Sequence, residues 1–295
     1  MPFEIVGIGE ILWDVFPDQD RFGGAPCNFA CSASELAGNE AKVHFVGAVG
    51  KDSYGTRGIE SLRARGVNTD SVQSRETPTG RVTVKLDESG AASYVFDSES
   101  AWDSLSWNLE LEQLASKCDA VCFGTLGQRG AITKETIRNF LKAVPKASWK
   151  VLDINLRAPY FDEQLIRESI PLANVLKLNE SELPVVATAC NCSGSEESIL
   201  TKLAETFRLD TIALTKGHSG AVILSQGIWS QLPSRVVPIA DTVGAGDAYT
   251  AAMVLGLLNG DDVESINRKA IEVASFVCTQ SGATMPFPFR FNDLK

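Results

Sequence analysis

Short apolar runs alternate along the chain with stretches whose apolar positions recur every three or four residues. That alternation predicts strands buried on both faces, with amphipathic helices laid across them. The runs at 4–9, 43–49, 120–123, 150–154, 174–178, 211–215 and 221–224 read as strands. Helices are expected at about 26–37, 53–65, 108–117, 133–143, 162–169, 181–189, 195–207, 245–259 and 262–280. The implied fold class is α/β, a three-layer sandwich with a mostly parallel central sheet flanked by helices. One region breaks the pattern. Residues 81–87 alternate with period two, a turn follows at 88–90, and 92–97 alternate again, which predicts a β-hairpin with one polar face. With the aromatic- and aspartate-rich stretch at about 11–23, the segment at about 68–98 is expected to build a small β-sheet lid. No linker divides the chain, so 1–295 reads as one domain.

Composition narrows the choice of partner. The 295 residues are 44% hydrophobic and carry a formal net charge of −10, with a mean hydropathy of zero. No apolar stretch approaches the roughly 20 residues a spanning helix needs, and no basic leader precedes the first strand. A nucleic-acid partner is not expected, since that needs a basic stripe. An anionic ligand would need a local positive site, because the global field repels it. The seven cysteines include no CxxC pair, and there are only two histidines. A zinc site is therefore not expected, and reduced thiols in a cytoplasmic protein are. With His44 in a strand and His218 in a Gly-rich turn, a carboxylate is the better candidate for any catalytic base.

The most informative stretch runs from Asp241 through Gly244, Ala245, Gly246 and Asp247 to Ala252. Small residues at a helix start let an anion approach unpaired backbone N–H groups, where the helix dipole adds positive potential. Asp247 beside such an anion could accept a proton from an attacking hydroxyl. It could equally be a first-turn aspartate after a flexible loop. The pattern is neither a P-loop nor a dinucleotide fingerprint.

Asp241–Ala252 resembles the second signature of the ribokinase-like (phosphofructokinase-B type) carbohydrate kinases, and Gly23 to Asn28 with Gly38 resembles the first. The resemblance runs from Gly9 and Glu10 to Gly282 and Ala283, in the family's order. It implies the ribokinase-like fold with its lid, Asp247 as catalytic base, and an anion hole formed by Gly244, Ala245 and Gly246. Asn179 and Glu182 match the element that positions Mg²⁺ and its waters, although Asn179 could instead cap a helix with Glu182 at the capping-box position. Thr215, Lys216, Gly217 and Gly220 resemble the nucleotide-binding turn, with Lys216 either near phosphate or merely solvated. Asp14, Gly23, Gly24 and Asn28 match sugar-binding positions, where hydroxyls need converging polar partners. Asn155 and Arg157 belong to a motif similar to that of fructokinases. So do the segments at 10–14, 101–103 and 124–129, where Trp102 serves either lid packing or sugar contact. Asp241 and Val243 stand where some members bind K⁺.

The resemblance thus implies Mg-ATP-dependent phosphorylation of a primary sugar hydroxyl, with D-fructose the first choice of acceptor. Other acceptors (ribose, a 2-keto-3-deoxy sugar acid or a nucleoside) stay open, and Arg129 and Arg157 would suit the acid. A catalytically silent sugar or nucleotide sensor on the same fold is the alternative from another class, against which Asp247, Asn179 and Glu182 together speak. Sugar and ATP are the expected partners, with a monomer or a homodimer through the lid.

Overall fold

The structure, a computed structural model, describes residues 1–86 and 92–294. The chain starts with β1 (Phe3–Ile8), β2 (Leu12–Val15), β3 (Asp20–Gly23) and α1 (Ala25–Ala37). It continues with β4 (Ala41–Gly50), α2 (Ser53–Ala64), β5 (Val72–Arg75), β6 (Gly80–Leu86) and β7 (Ala92–Phe96). Next come α3 (Leu109–Ala115), β8 (Ala120–Phe123), α4 (Ala131–Ala143), β9 (Trp149–Asp153), α5 (Glu163–Ser169) and β10 (Val175–Asn179). Then follow α6 (Leu183–Ala189), α7 (Glu196–Phe207), β11 (Thr211–Thr215), β12 (Ala221–Ser225) and β13 (Ile228–Leu232). The last two helices are α8 (Ala245–Asn259) and α9 (Val263–Cys278).

Nine strands form one sheet in the order β13-β12-β11-β10-β9-β8-β1-β4-β5. It is parallel from β5 to β11, and β12 and β13 turn back antiparallel at one edge. The central strands are buried on both faces, β8 throughout its length, as their unbroken apolar runs require. One layer of helices, α1, α2, α8 and α9, packs on one face around Phe29, Phe45, Tyr249 and Met253. Helices α3 to α7 cover the other around Phe123, Phe140, Ile166 and Leu203. From β1 the chain moves outward to β4 on one side and later to β8 on the other. That reversal opens a crevice at the carboxyl ends of the strands, the place where such sheets bind ligands.

A second sheet, in the order β3-β2-β6-β7, stands over that end. It covers a small cluster of Leu12, Val82, Trp102 and Leu126. The expected hairpin is β6–β7, with its expected turn at 88–90 outside the described residues. Two details differ from the sequence reading. Within the segment assigned to the lid, β5 pairs parallel with β4 and so extends the large sheet. The edge strand β13 was not anticipated, because its half-exposed sequence lacks a continuous apolar run. The entry to β6 is tightly held: Asp52 Oδ2 accepts from the Thr79 amide at 2.8 Å and Asp52 Oδ1 from the Thr79 hydroxyl at 2.7 Å. Gly80 then lies against Trp102, where a Cβ would come within 1.8 Å of the ring.

Helix starts show where the surface is left open. Asp52, Asn108, Asp162, Ser195 and Asp262 cap α2, α3, α5, α7 and α9 with their side chains. Helices α1, α4, α6 and α8 have no such cap, and two of them, α1 and α8, begin at Gly24 and Gly244. Both of those ends face the crevice.

Candidate active site

A cleft of about 710 Å³ lies between the lid and the strand ends. At its floor Gly244 has φ of 81°, and a Cβ there would come within 2.7 Å of Ala283 Cα. Only glycine fits that turn without strain. The turn leaves the first N–H groups of α8 without side-chain partners and puts Asp247 in the helix's first turn.

Asp247 is 9% exposed, and its Oδ2 accepts from Asn28 Nδ2 of α1 at 2.8 Å. Behind it, Lys177 Nζ of β10 lies 3.2 Å from Asp153 Oδ1 at the end of β9, both side chains buried. Thr250 of α8 donates to the other Asp153 oxygen at 2.8 Å. Burial, reinforced by the Asp153 charge, pushes the Asp247 carboxyl up to about 6, against the pull of Asn28, Lys177 and Arg157. Burial alone would lower the Lys177 ammonium, but the charges of Asp153, Glu182 and Asp247 outweigh it and hold it above its ordinary value. A base that stays a weak acid yet is ionised at neutral pH suits proton abstraction.

The cleft is also lined by Asp14 and Gly23 of the lid strands, by Gly24 and Asn28 at the start of α1, and by Asn155 and Arg157 after β9. The sugar-side residues chosen from sequence therefore come together. Asn155 holds φ of 38°, a local strain of the kind concentrated at functional sites. Burial raises Asp14 to about 6, while Arg157 and Arg21 pull it back. Arg157 forms no ion pair among the described residues, so its charge is free for the cleft.

The sequence model of the pfkB family carbohydrate kinases matches residues 14–290. The chain belongs to that family. A fructokinase from Klebsiella pneumoniae is 27% identical over 96% of this chain and 95% of its own length. An uncharacterized sugar kinase from Pyrococcus horikoshii in complex with ATP superposes with a TM-score of 0.82 at 26% identity, covering 98% of this chain and 96% of its own. A Xylella fastidiosa fructokinase with bound ATP gives a TM-score of 0.85 at 22% identity, covering 99% and 97% of the two chains. The architecture described above is the ribokinase-like α/β fold.

Three residues of this pfkB kinase's cleft escaped the sequence reading as site residues. Glu10, which ends the turn after β1, is 3% exposed, and its Oε2 has no hydrogen-bond partner. Burial pushes its carboxyl up to about 7. Lys177 was legible as a lysine between two leucines of a buried strand. Arg21 lies on β3, opposite Asp14 across the strand pair. It pairs with Asp241 at 2.9 Å.

The nucleotide-side residues are placed less uniformly. Asn179 and Glu182 both line the cleft, and they also bond reciprocally across the turn that leads into α6, which starts without a side-chain cap. Glu182 Oε2 accepts from the Asn179 amide at 2.8 Å and Asn179 Oδ1 from the Glu182 amide at 3.0 Å. Thr215 ends β11, and Lys216 after it pairs with Glu196 at 2.9 Å, so its charge is already committed. Gly217 has φ of 50°. At Gly220 a Cβ would meet the Leu232 carbonyl at 2.0 Å, so that glycine serves the return of β13. Asp241 Oδ2 takes the Arg21 guanidinium, and its Oδ1 accepts from the Val243 amide at 3.0 Å.

Arg129 and Trp102 lie outside the cleft. Arg129 forks onto Asp103 at 2.9 and 2.7 Å, between the rings of Trp102 and Tyr160. Trp102 itself is fully buried beneath the lid. Packing, not sugar contact, is its role, and Arg129 is not a free charge for an acid acceptor. Among the described residues no group of three or more His, Cys, Asp or Glu side chains is arranged to hold a metal ion by itself. No described helix is long and apolar enough to cross a membrane.

Proposed function

We propose that this pfkB kinase transfers the γ-phosphoryl group of Mg-ATP to a primary hydroxyl of D-fructose, giving fructose 6-phosphate. The observation that carries the reading is one carboxylate, Asp247, buried at an uncapped glycine-led helix start in the same cleft as Asp14, Asn28 and Arg157. Asp247 takes the hydroxyl proton, and the amides of Gly244, Ala245 and Gly246 receive the charge that develops on the transferring group. Asp14 and Asn28 orient the sugar, and the lid keeps out water, a competing acceptor.

Mg²⁺ fits this site as a partly hydrated ion carried by the phosphates. Glu182 and Asn179 offer oxygens at the cleft wall, and each Glu182 oxygen that accepts one backbone amide keeps a further lone pair for a metal-bound water. The ion would offset charge on the phosphates. Support for ATP as donor comes from the ATP-bound state of the Pyrococcus kinase, and support for fructose from the Klebsiella relative. Free thiols at all seven cysteines favour a cytoplasmic setting.

One observation favours a second acceptor. The unpaired Arg157 would serve the carboxylate of a 2-keto-3-deoxy sugar acid. ADP release from Mg-ATP across fructose, ribose, 2-keto-3-deoxygluconate, glucose and adenosine, with Asp247→Asn alongside, tests both. Turnover led by fructose and lost in the variant is the expected result. Turnover led by the sugar acid would move the acceptor and keep the chemistry. An Asp247→Asn enzyme as fast as wild type would refute the assignment of the base.

A further inference from the structure

Arg21 sits at the meeting point of lid and floor. It belongs to the lid strand β3, and its cross-strand partner in β2 is Asp14, which lines the sugar end of the cleft. Its guanidinium lies over the Phe16 ring at 5.1 Å and reaches 2.9 Å to Asp241 Oδ2 in the loop before α8. That carboxylate is in turn a junction. Its Oδ1 accepts from the Val243 amide at 3.0 Å, next to Gly244, and its Oδ2 accepts from the Gly282 amide at 3.3 Å. Gly282 precedes Ala283, the residue that packs against Gly244. One ion pair thus spans from the acceptor-facing strand to both segments that shape the helix start.

We propose that Arg21 is a positioning residue that acts through Asp241, holding the loop that presents the Gly244–Gly246 amides in its working shape only while the lid lies over the cleft. The proposal rests on the phosphoryl-transfer reading of those amides. Its chemical consequence is order: the amides are aligned when the acceptor-binding strand is down, so phosphoryl transfer to water is disfavoured while the lid is up. A charge-assisted hydrogen bond with a 33% exposed donor side chain and a 16% exposed acceptor is dry enough to matter and wet enough to open.

The test compares wild type with Arg21→Gln and Arg21→Lys. Hydrogen exchange across residues 241–246, in the protein alone, is expected to quicken about tenfold in Arg21→Gln, equivalent to about 1.4 kcal/mol. Arg21→Lys should restore most of the protection. In steady-state assays with the best acceptor, Arg21→Gln should lower kcat about tenfold, a larger factor than any rise in the acceptor KM. Unchanged exchange at 241–246 overturns the proposal, as does a loss confined to the acceptor KM with kcat intact. If wild type phosphorylates no sugar, the phosphoryl-transfer reading falls, and the exchange comparison still decides whether Arg21 orders this loop.

Discussion

Replacing Asp247 by asparagine should make the protein more stable while stopping its chemistry. The ionised carboxylate is buried beside another aspartate, and its affinity for a proton rises from the ordinary 3.8 to about 6. At about 1.4 kcal/mol for each tenfold change in proton affinity, the folded protein gives up about 3 kcal/mol at neutral pH to keep that group charged. Because the folded state holds the proton more tightly than the unfolded chain, this group favours folding below pH 4. The contribution is lost as pH rises towards 6 and stays lost above. Asparagine keeps the size and an oxygen for Asn28 Nδ2 but has no charge to bury. Urea unfolding should therefore show Asp247→Asn ahead of wild type by about 3 kcal/mol at pH 8, shrinking to about 1 kcal/mol at pH 4.5. A variant no more stable than wild type at pH 8 would refute the reasoning. So would a gain of the same size at both pH values, since that would have nothing to do with ionisation.

Two further expectations follow from the same geometry. In wild type, kcat/KM should climb through about pH 6 as Asp247 ionises and level off above, with Asp14 in the same limb; a flat profile between pH 5 and 7 would remove Asp247 as the base. Gly246→Ala would place a Cβ 2.9 Å from Lys177 Nζ, disturbing the pair with Asp153 and the hole together. Turnover should fall about a hundredfold with unchanged far-ultraviolet circular dichroism, and wild-type kcat would show that this amide is not used.

The parallel core was legible because each buried strand is an apolar run bounded by turn residues. The Gly-Ala-Gly-Asp turn was legible because its chemistry is local. What escaped was set by partners far away in the chain. β13 escaped because its mixed, largely exposed sequence gains strand form from its pairing with β12. β5 fell into the lid segment because its sequence neighbours do, whereas its pairing partner is β4. Arg129 and Lys216 looked like free positive charges. Nothing in a linear reading places Asp103 and Glu196 beside them. Arg21 was passed over for the converse reason, since its partner Asp241 is 220 residues away. Asn179 and Glu182 read equally as a cap or as ligands, and they exchange hydrogen bonds across the turn just before α6 at the wall of the cleft.

The contact between Asn28 and Asp247 spans 219 residues, and it joins the two signatures into one site. During synthesis at about 5–20 residues per second, the first signature emerges roughly 10–45 s before the second. Throughout that interval the growing chain lacks Asp247 and the glycine-led start of α8. No part of the chain made before α8 can therefore carry both sides of the cleft. Competence arrives in one step, when α8 docks against α1.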